Sequence, residues 1–157
     1  NLTVPDFLRT GEWQPRPSVA TLASAMDVGN PSNMERLRWL FPDLHDLRGA
    51  FSAYSVSDDE IRASIKLDYA EYGQTWCPHT ATAAHLYRQL PAARRKERWV
   101  LVGTAHPAKF NDVVEPLIGA EVPVPAALAD LLSLPSLQQD VAPRLEDLRT
   151  VLKGNPA

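Results

Sequence analysis

Apolar residues recur at the helical interval in several stretches, and the polar residues around them predict where each helix begins and ends. In "SNMERLRWLF" (32–41), Met34, Leu37, Leu40 and Phe41 keep that interval and Pro42 closes the segment, which predicts a short helix. "SDDEIRASIKLDYAEYG" (57–73) places Ser57 and Glu60 in capping-box spacing, acids in the first turn and Gly73 as the stop. "HTATAAHLYRQLP" (79–91) is an alanine-rich helix ended by Pro91, with small side chains that admit a neighbouring backbone or a ligand. "AKFNDVVEPLIG" (108–119) reads as a helix shortened or bent by Pro116, and "PAALADLLSLP" (125–135) and "APRLEDLRTVLKG" (142–154) as two closing helices. "VPDFLRTG" (4–11) predicts a helical turn closed by Gly11, residues 43–56 are ambiguous and could hold one more turn, and "AARRKER" (92–98) reads as a charged connector.

One segment breaks the helical pattern. "WVLVG" (99–103) is a continuous apolar run of the kind that fills buried parallel strands, so the expected class is α/β, mostly helical with one clear buried strand at about 99–103. Open parallel sheets present functional groups at the carboxyl ends of their strands, and "GTAHP" follows directly. Gly103 would let a ligand approach the backbone, Thr104 offers one donor and two acceptor lone pairs, and Pro107 fixes the entry to the next helix. Spacing alone leaves a plainer alternative open, in which Thr104 caps the helix and His106 is structural.

Composition narrows the class without naming a partner. At 157 residues, 45% hydrophobic, 22% charged and net charge −3, the chain has the make-up of one globular domain or part of one. The acidic balance gives no pull toward nucleic acid, and the basic run at 94–98 has no interleaved aromatics, so no nucleic-acid partner is expected. The apolar region 113–135 is interrupted by Glu115, Glu121, Asp130 and four prolines, so no membrane span is expected. A single cysteine, Cys77, suits a cytoplasmic location and forms no internal disulfide. Cys77 reads as a buried, inert residue, and with His79 and His85 six apart on different helix faces no metal site is expected. The first residue is Asn1 rather than methionine, which suggests a processed or excised piece.

Three motifs in order carry a family resemblance: "MD" (26–27) before "PSNMER" (31–36), "PHTA" (78–81) before a helix, and "GTAHPAKF" (103–110). Together they resemble the C-terminal part of bacterial and fungal threonine synthases, and the resemblance runs nearly the whole length. It implies a segment of a fold type II pyridoxal phosphate enzyme, with residues 1–157 as the C-terminal portion. Such an enzyme converts O-phospho-L-homoserine and water to L-threonine and phosphate. The cofactor lysine and the Gly-rich phosphate loop are expected in the missing N-terminal part of the same enzyme. In agreement, the nearest two glycines, 103 and 119, are 16 positions apart, and Lys66, Lys96, Lys109 and Lys153 lie in contexts unlike the Schiff-base site. The isolated chain is therefore expected to be inactive.

The resemblance also assigns roles. Thr104 is implied as the hydroxyl that meets the cofactor's pyridine nitrogen, where other pyridoxal enzymes use a carboxylate. Ser32, Asn33, His79 and His106 are implied as substrate-binding or cleft-lining. Ser32 and Glu35 also satisfy capping-box spacing, which predicts free amides and a helix dipole at Ser32 and Asn33, suited to an anion. Family members commonly carry an acidic residue where this chain has Cys77, so any role of that carboxylate does not transfer. Two alternatives accompany the reading: a non-catalytic interaction module derived from this family, and another fold type II lyase or dehydratase.

Overall fold

A computed structural model describes residues 1–135 and 137–154. They divide into two compact units, Asn1–Pro123 and a unit beginning at Val124. The first is organised by α4 (Asp58–Tyr72) and α5 (Pro78–Gln89), which pack along each other, with α7 (Asn111–Ile118) against α4. The start of α4 follows from its cap. The Ser57 hydroxyl accepts from the Glu60 amide while the Glu60 carboxylate accepts from the Ser57 amide at 2.7 Å, so two otherwise orphaned N–H groups are paired. Its end follows from Gly73, whose φ of 65° lets its N–H turn back to Tyr69 O at 2.9 Å.

Ile61, Ile65, Ala81 and Val114 are essentially removed from solvent and, with Ala23 and Val122, form the main core. Burying each large aliphatic side chain contributes about 1.5–3 kcal/mol. A second, smaller core joins Phe7 of α1 (Thr3–Thr10), Met34 of α2 (Met34–Leu40) and Leu47 of α3 (Leu44–Ala50). Asp43 caps α3 by accepting from the His45 amide at 2.6 Å, so the ambiguous stretch 43–56 holds two turns of helix. Gly11, with φ of 84°, closes α1 as its position predicts. The connector 92–98 contains one further turn, α6 (Ala92–Arg95).

The expected α/β class is overturned: the described residues contain no strand, and 99–103 is not one. A strand exists only where a neighbouring segment takes up its backbone N–H and C=O groups, and no described segment pairs with this one. Nor is the run buried, since Val100 is 86% and Val102 69% exposed. A continuous apolar run predicts burial only when a surface is there to cover it. The helix expected over 108–119 also starts later: Pro107–Phe110 forms a 3₁₀ turn, and α7 ends at Ile118, two residues after Pro116, with Gly119 as its C-cap.

The unit from Val124 holds α8 (Ala126–Leu132) and α9 (Leu145–Gly154), matching the two closing helices in kind and trimmed at their ends. Neither has a fully buried residue, and Leu131, Leu132 and Leu152 are exposed. Exposed ion pairs Arg144–Asp147 and Arg149–Glu146 line α9. No helix of the described residues is long and apolar enough to cross a membrane.

Candidate cofactor cleft

A cleft of about 720 Å3 in the first unit opens where the loop Gly73–Cys77 at the start of α5 faces the segment Gly103–Pro107. Trp76 forms one wall, and its indole N–H donates to Asp68 of α4 at 2.9 Å. Asp68 is buried and is held by the Arg88 guanidinium of α5, which also reaches Glu71 at 3.1 Å. One carboxylate thus ties α4 to α5 and sets the orientation of a cleft-wall side chain. Burial, the strongest single influence, pulls the Arg88 pKa down, but the hydrogen bonds and charges of Asp68 and then Glu71 together outweigh it and raise it above the ordinary arginine value.

Cys77 caps α5 in place of the usual oxygen residue, its Sγ accepting from the Thr80 amide at 3.4 Å, and Pro78 occupies the first helical position. The same sulfur lies 3.2 Å from Thr80 Oγ1 and 3.8 Å from Thr104 Oγ1. Burial, the strongest single influence, pushes the thiol pKa up. Hydrogen bonds from the Thr80 hydroxyl and amide, from Thr104 and from the Ala105 backbone together outweigh it and hold the thiol below its ordinary value.

Across the cleft the Thr104 amide donates to Thr80 Oγ1 at 3.3 Å, fixing the segment against α5 while the Thr104 residue itself stays exposed. His106, not Thr104, caps the following turn, its Nδ1 accepting from the Ala108 amide at 3.2 Å. Gly103 has no positive φ, and a Cβ placed on it would meet nothing within 4 Å. Neither backbone strain nor packing calls for glycine there; the space a side chain would take belongs to the cleft. Among the described residues no carboxylate, lysine or arginine lines the cleft, so its polar groups are hydroxyl, thiol, amide and imidazole.

The sequence-derived residues fall into two groups. Thr104 and His106 line the cleft together. His79 is one turn-start away but buried, its ring 5.0 Å from that of Phe110 and its Nε2 accepting from the Ala25 amide at 3.0 Å, so it braces the 3₁₀ turn Ser24–Met26 rather than the cleft. Its Nδ1 is buried without a partner. Ser32 and Asn33 are exposed at the start of α2, outside the cleft lining, and no side chain caps that seven-residue helix, so the Ser32–Glu35 box does not form. Spacing alone did not reveal Trp76, Val122 or the sulfur–hydroxyl cluster in the cleft. Cys77 directly before Pro78 at a helix start was the available signal for an N-cap.

Residues 80–152 match the family model described as "Threonine synthase, C-terminal". Over 161 residues, covering the whole chain, it is 40% identical to the threonine synthase of Serratia marcescens, and over 159 residues 35% identical to that of Escherichia coli. The crystal structure of the Escherichia coli threonine synthase superposes with a TM-score of 0.77 at 34% identity over 97% of the chain. The chain belongs to the threonine synthase family. The chain spans about a third of the length of these relatives, 36% of each curated sequence and 35% of the crystallised chain, and it matches their C-terminal part. A structure described as pyridoxal phosphate-bound threonine synthase from Brucella melitensis also superposes, with a TM-score of 0.65 at 25% identity, covering 97% of this chain and 38% of that one. The stretch matched by the threonine synthase C-terminal model takes in Thr80, Thr104 and His106 and stops short of Cys77, His79, Ser32 and Asn33.

Proposed function

We propose that this chain supplies the C-terminal half of the cofactor cleft of a threonine synthase, which turns O-phospho-L-homoserine and water into L-threonine and phosphate in the cytoplasm. The observation that carries the reading is Thr104 standing on a cleft wall lined only by neutral polar and apolar groups and titratable thiol and imidazole, with no carboxylate. That donor set fits a pyridine ring whose nitrogen meets a hydroxyl. Gly103 leaves room for the ring, and Trp76 and Val122 offer apolar surface to its flanks. Bound there, pyridoxal phosphate would supply the electron sink for charge left on the substrate's carbon chain when its protons are removed.

The residues of this chain hold and orient rather than transfer protons along the substrate. Thr104 would hydrogen-bond the ring nitrogen, its own amide being pinned to Thr80 Oγ1. His106 sits at the cleft mouth with Nδ1 engaged by Ala108, leaving Nε2 for a polar group of substrate or cofactor. Ser32, Asn33 and His79 retain a cleft-lining role only if the remaining part of the enzyme completes the cleft beside them. The covalent anchor and the phosphate cradle come from that N-terminal part, the chain's first partner. No described lysine lines the cleft.

Thr104→Val in the full-length enzyme tests the reading. The variant is expected to bind pyridoxal phosphate and to turn over O-phospho-L-homoserine more slowly, read by phosphate release and cofactor absorbance. An unchanged rate with an unchanged spectrum removes Thr104 from the site. Phosphate release by the 157-residue chain alone would overturn the assignment of the anchor elsewhere.

A further inference from the structure

We infer that the cluster Thr80–Cys77–Thr104 sets which way the Thr104 hydroxyl directs its proton, making Cys77 a positioning residue for the ring nitrogen that Thr104 meets. The inference rests on the reading above that Thr104 faces that nitrogen. Its starting point is donor and acceptor bookkeeping within the cluster.

Thr80 Oγ1 accepts from the Thr104 amide at 3.3 Å, so its own proton is free to point at Cys77 Sγ, 3.2 Å away. The Thr80 amide also donates to that sulfur, at 3.4 Å. With the Thr80 hydroxyl donating, sulfur receives two hydrogen bonds from Thr80 and one from the Ala105 backbone, and its remaining neighbour in the cluster is Thr104 Oγ1 at 3.8 Å. A neutral thiol spends its single proton on Thr104. The Thr104 proton then turns into the cleft, and the hydroxyl is a donor suited to an unprotonated ring nitrogen. When the thiol releases its proton to solvent, Thr104 donates to the sulfur instead. Its lone pairs then face the cleft and receive a nitrogen that carries a proton.

Cys77 is 1% exposed, so its sulfur is shielded from competing water. Among the groups facing it, the only other titratable side chain on the cleft is His106, with Nδ1 held by the Ala108 amide. His79, two residues on along α5, turns to the Ala25 amide. No charged side chain from the segment Gly103–Pro107 or from the loop Gly73–Trp76 lines the cleft. The sulfur is thus the group best placed to bias Thr104.

Two measurements on the full-length enzyme test this. In the cofactor-free enzyme, the Cys77 thiolate absorbance, taken as the difference from Cys77→Ser, should titrate at higher pH in Thr104→Val, because the thiolate loses a donor. An unmoved titration overturns the inference without reference to the cofactor. With isotope-labelled pyridoxal phosphate bound, the NMR shift of the ring nitrogen should report proton loss at lower pH in Cys77→Ser than in the parent, and proton retention in Cys77→Asp, a lasting acceptor. Cys77→Ala gives the same early loss should the serine variant fail to fold. Identical nitrogen titrations in all variants overturn the inference. A nitrogen resonance untouched by Thr104→Val overturns both the Thr104 assignment and the inference, and the cofactor-free titration distinguishes that failure from a missing thiol–hydroxyl bond.

Discussion

Trp76 and Asp68 are joined by an indole N–H to carboxylate hydrogen bond of 2.9 Å, so the wall of the cleft is fixed by the same buried acid that staples α4 to α5. Asp68 also accepts from Ser64 Oγ at 3.3 Å, and Arg88 stacks over Tyr72 at 5.5 Å. Removing one partner of a buried pair leaves the other charge desolvated and unpaired, which costs about 3–5 kcal/mol. Arg88 keeps partial exposure and a second acid, Glu71, so Asp68→Ala is expected at the lower end, about 3 kcal/mol. Urea denaturation measures the loss. Asp68→Asn, which can still accept from Trp76, should lose less, and equal losses would show that the indole bond contributes nothing.

The α4 cap predicts a pH dependence with a definite sign. The Glu60 carboxyl is held below its ordinary value, first by the Ser57 amide and then by the Ser57 hydroxyl, with His85 adding a smaller attraction against the opposing effect of burial. A carboxyl whose folded value is depressed stabilises the fold fully above its unfolded value and loses that stabilisation as pH falls through the folded one. Denaturation midpoints should therefore drop below the ordinary glutamate range, and Glu60→Gln should flatten that part of the decline. Ser57→Ala removes the cap oxygen at a cost of about 1 kcal/mol. A parent and Glu60→Gln with the same pH profile would show that the box does not carry the dependence.

The helices of the first unit were legible where local chemistry decides the outcome. Ser57 and Glu60 can pair with each other's backbone whatever the rest of the molecule does, and Gly73 and Gly11 turn the chain by their own conformational freedom. The segment 99–103 was misread because its apolar composition describes a need for burial and not its fulfilment: a strand depends on a partner segment that local sequence does not contain. Ser32 and Glu35 keep the spacing of a box, yet α2 begins without a side-chain cap, since the helix is held through Met34 in the second core. In the cleft, Thr104 and His106 were found through their motif. Cys77 is buried as its sequence context predicts, but nothing in its own neighbourhood of sequence announces the approach of its sulfur to Thr104, 27 positions away.

Gly29 gives the sharpest steric prediction. A Cβ on Gly29 would lie 1.8 Å from the Arg16 carbonyl oxygen, a backbone atom that cannot swing aside. The same glycine holds three hydrogen bonds: its carbonyl accepts from Thr3 Oγ1 at 2.7 Å and from the Arg16 amide at 3.1 Å, and its N–H donates to Ser18 Oγ at 3.0 Å. Relief of the clash must separate residues 16–18 from 29 and break at least the Arg16 bond. Overpacking alone costs about 1–3 kcal/mol, and a lost buried hydrogen bond adds roughly 0.5–1.5 kcal/mol. Gly29→Ala is therefore expected to lower stability by about 2–4 kcal/mol, whereas Gly49→Ala, with nothing within 4 Å of the new Cβ and a place inside α3, should be neutral or slightly stabilising. Denaturation of the two variants side by side decides it: equal stabilities would mean that the segment Arg16–Ser18 yields freely to the new methyl group.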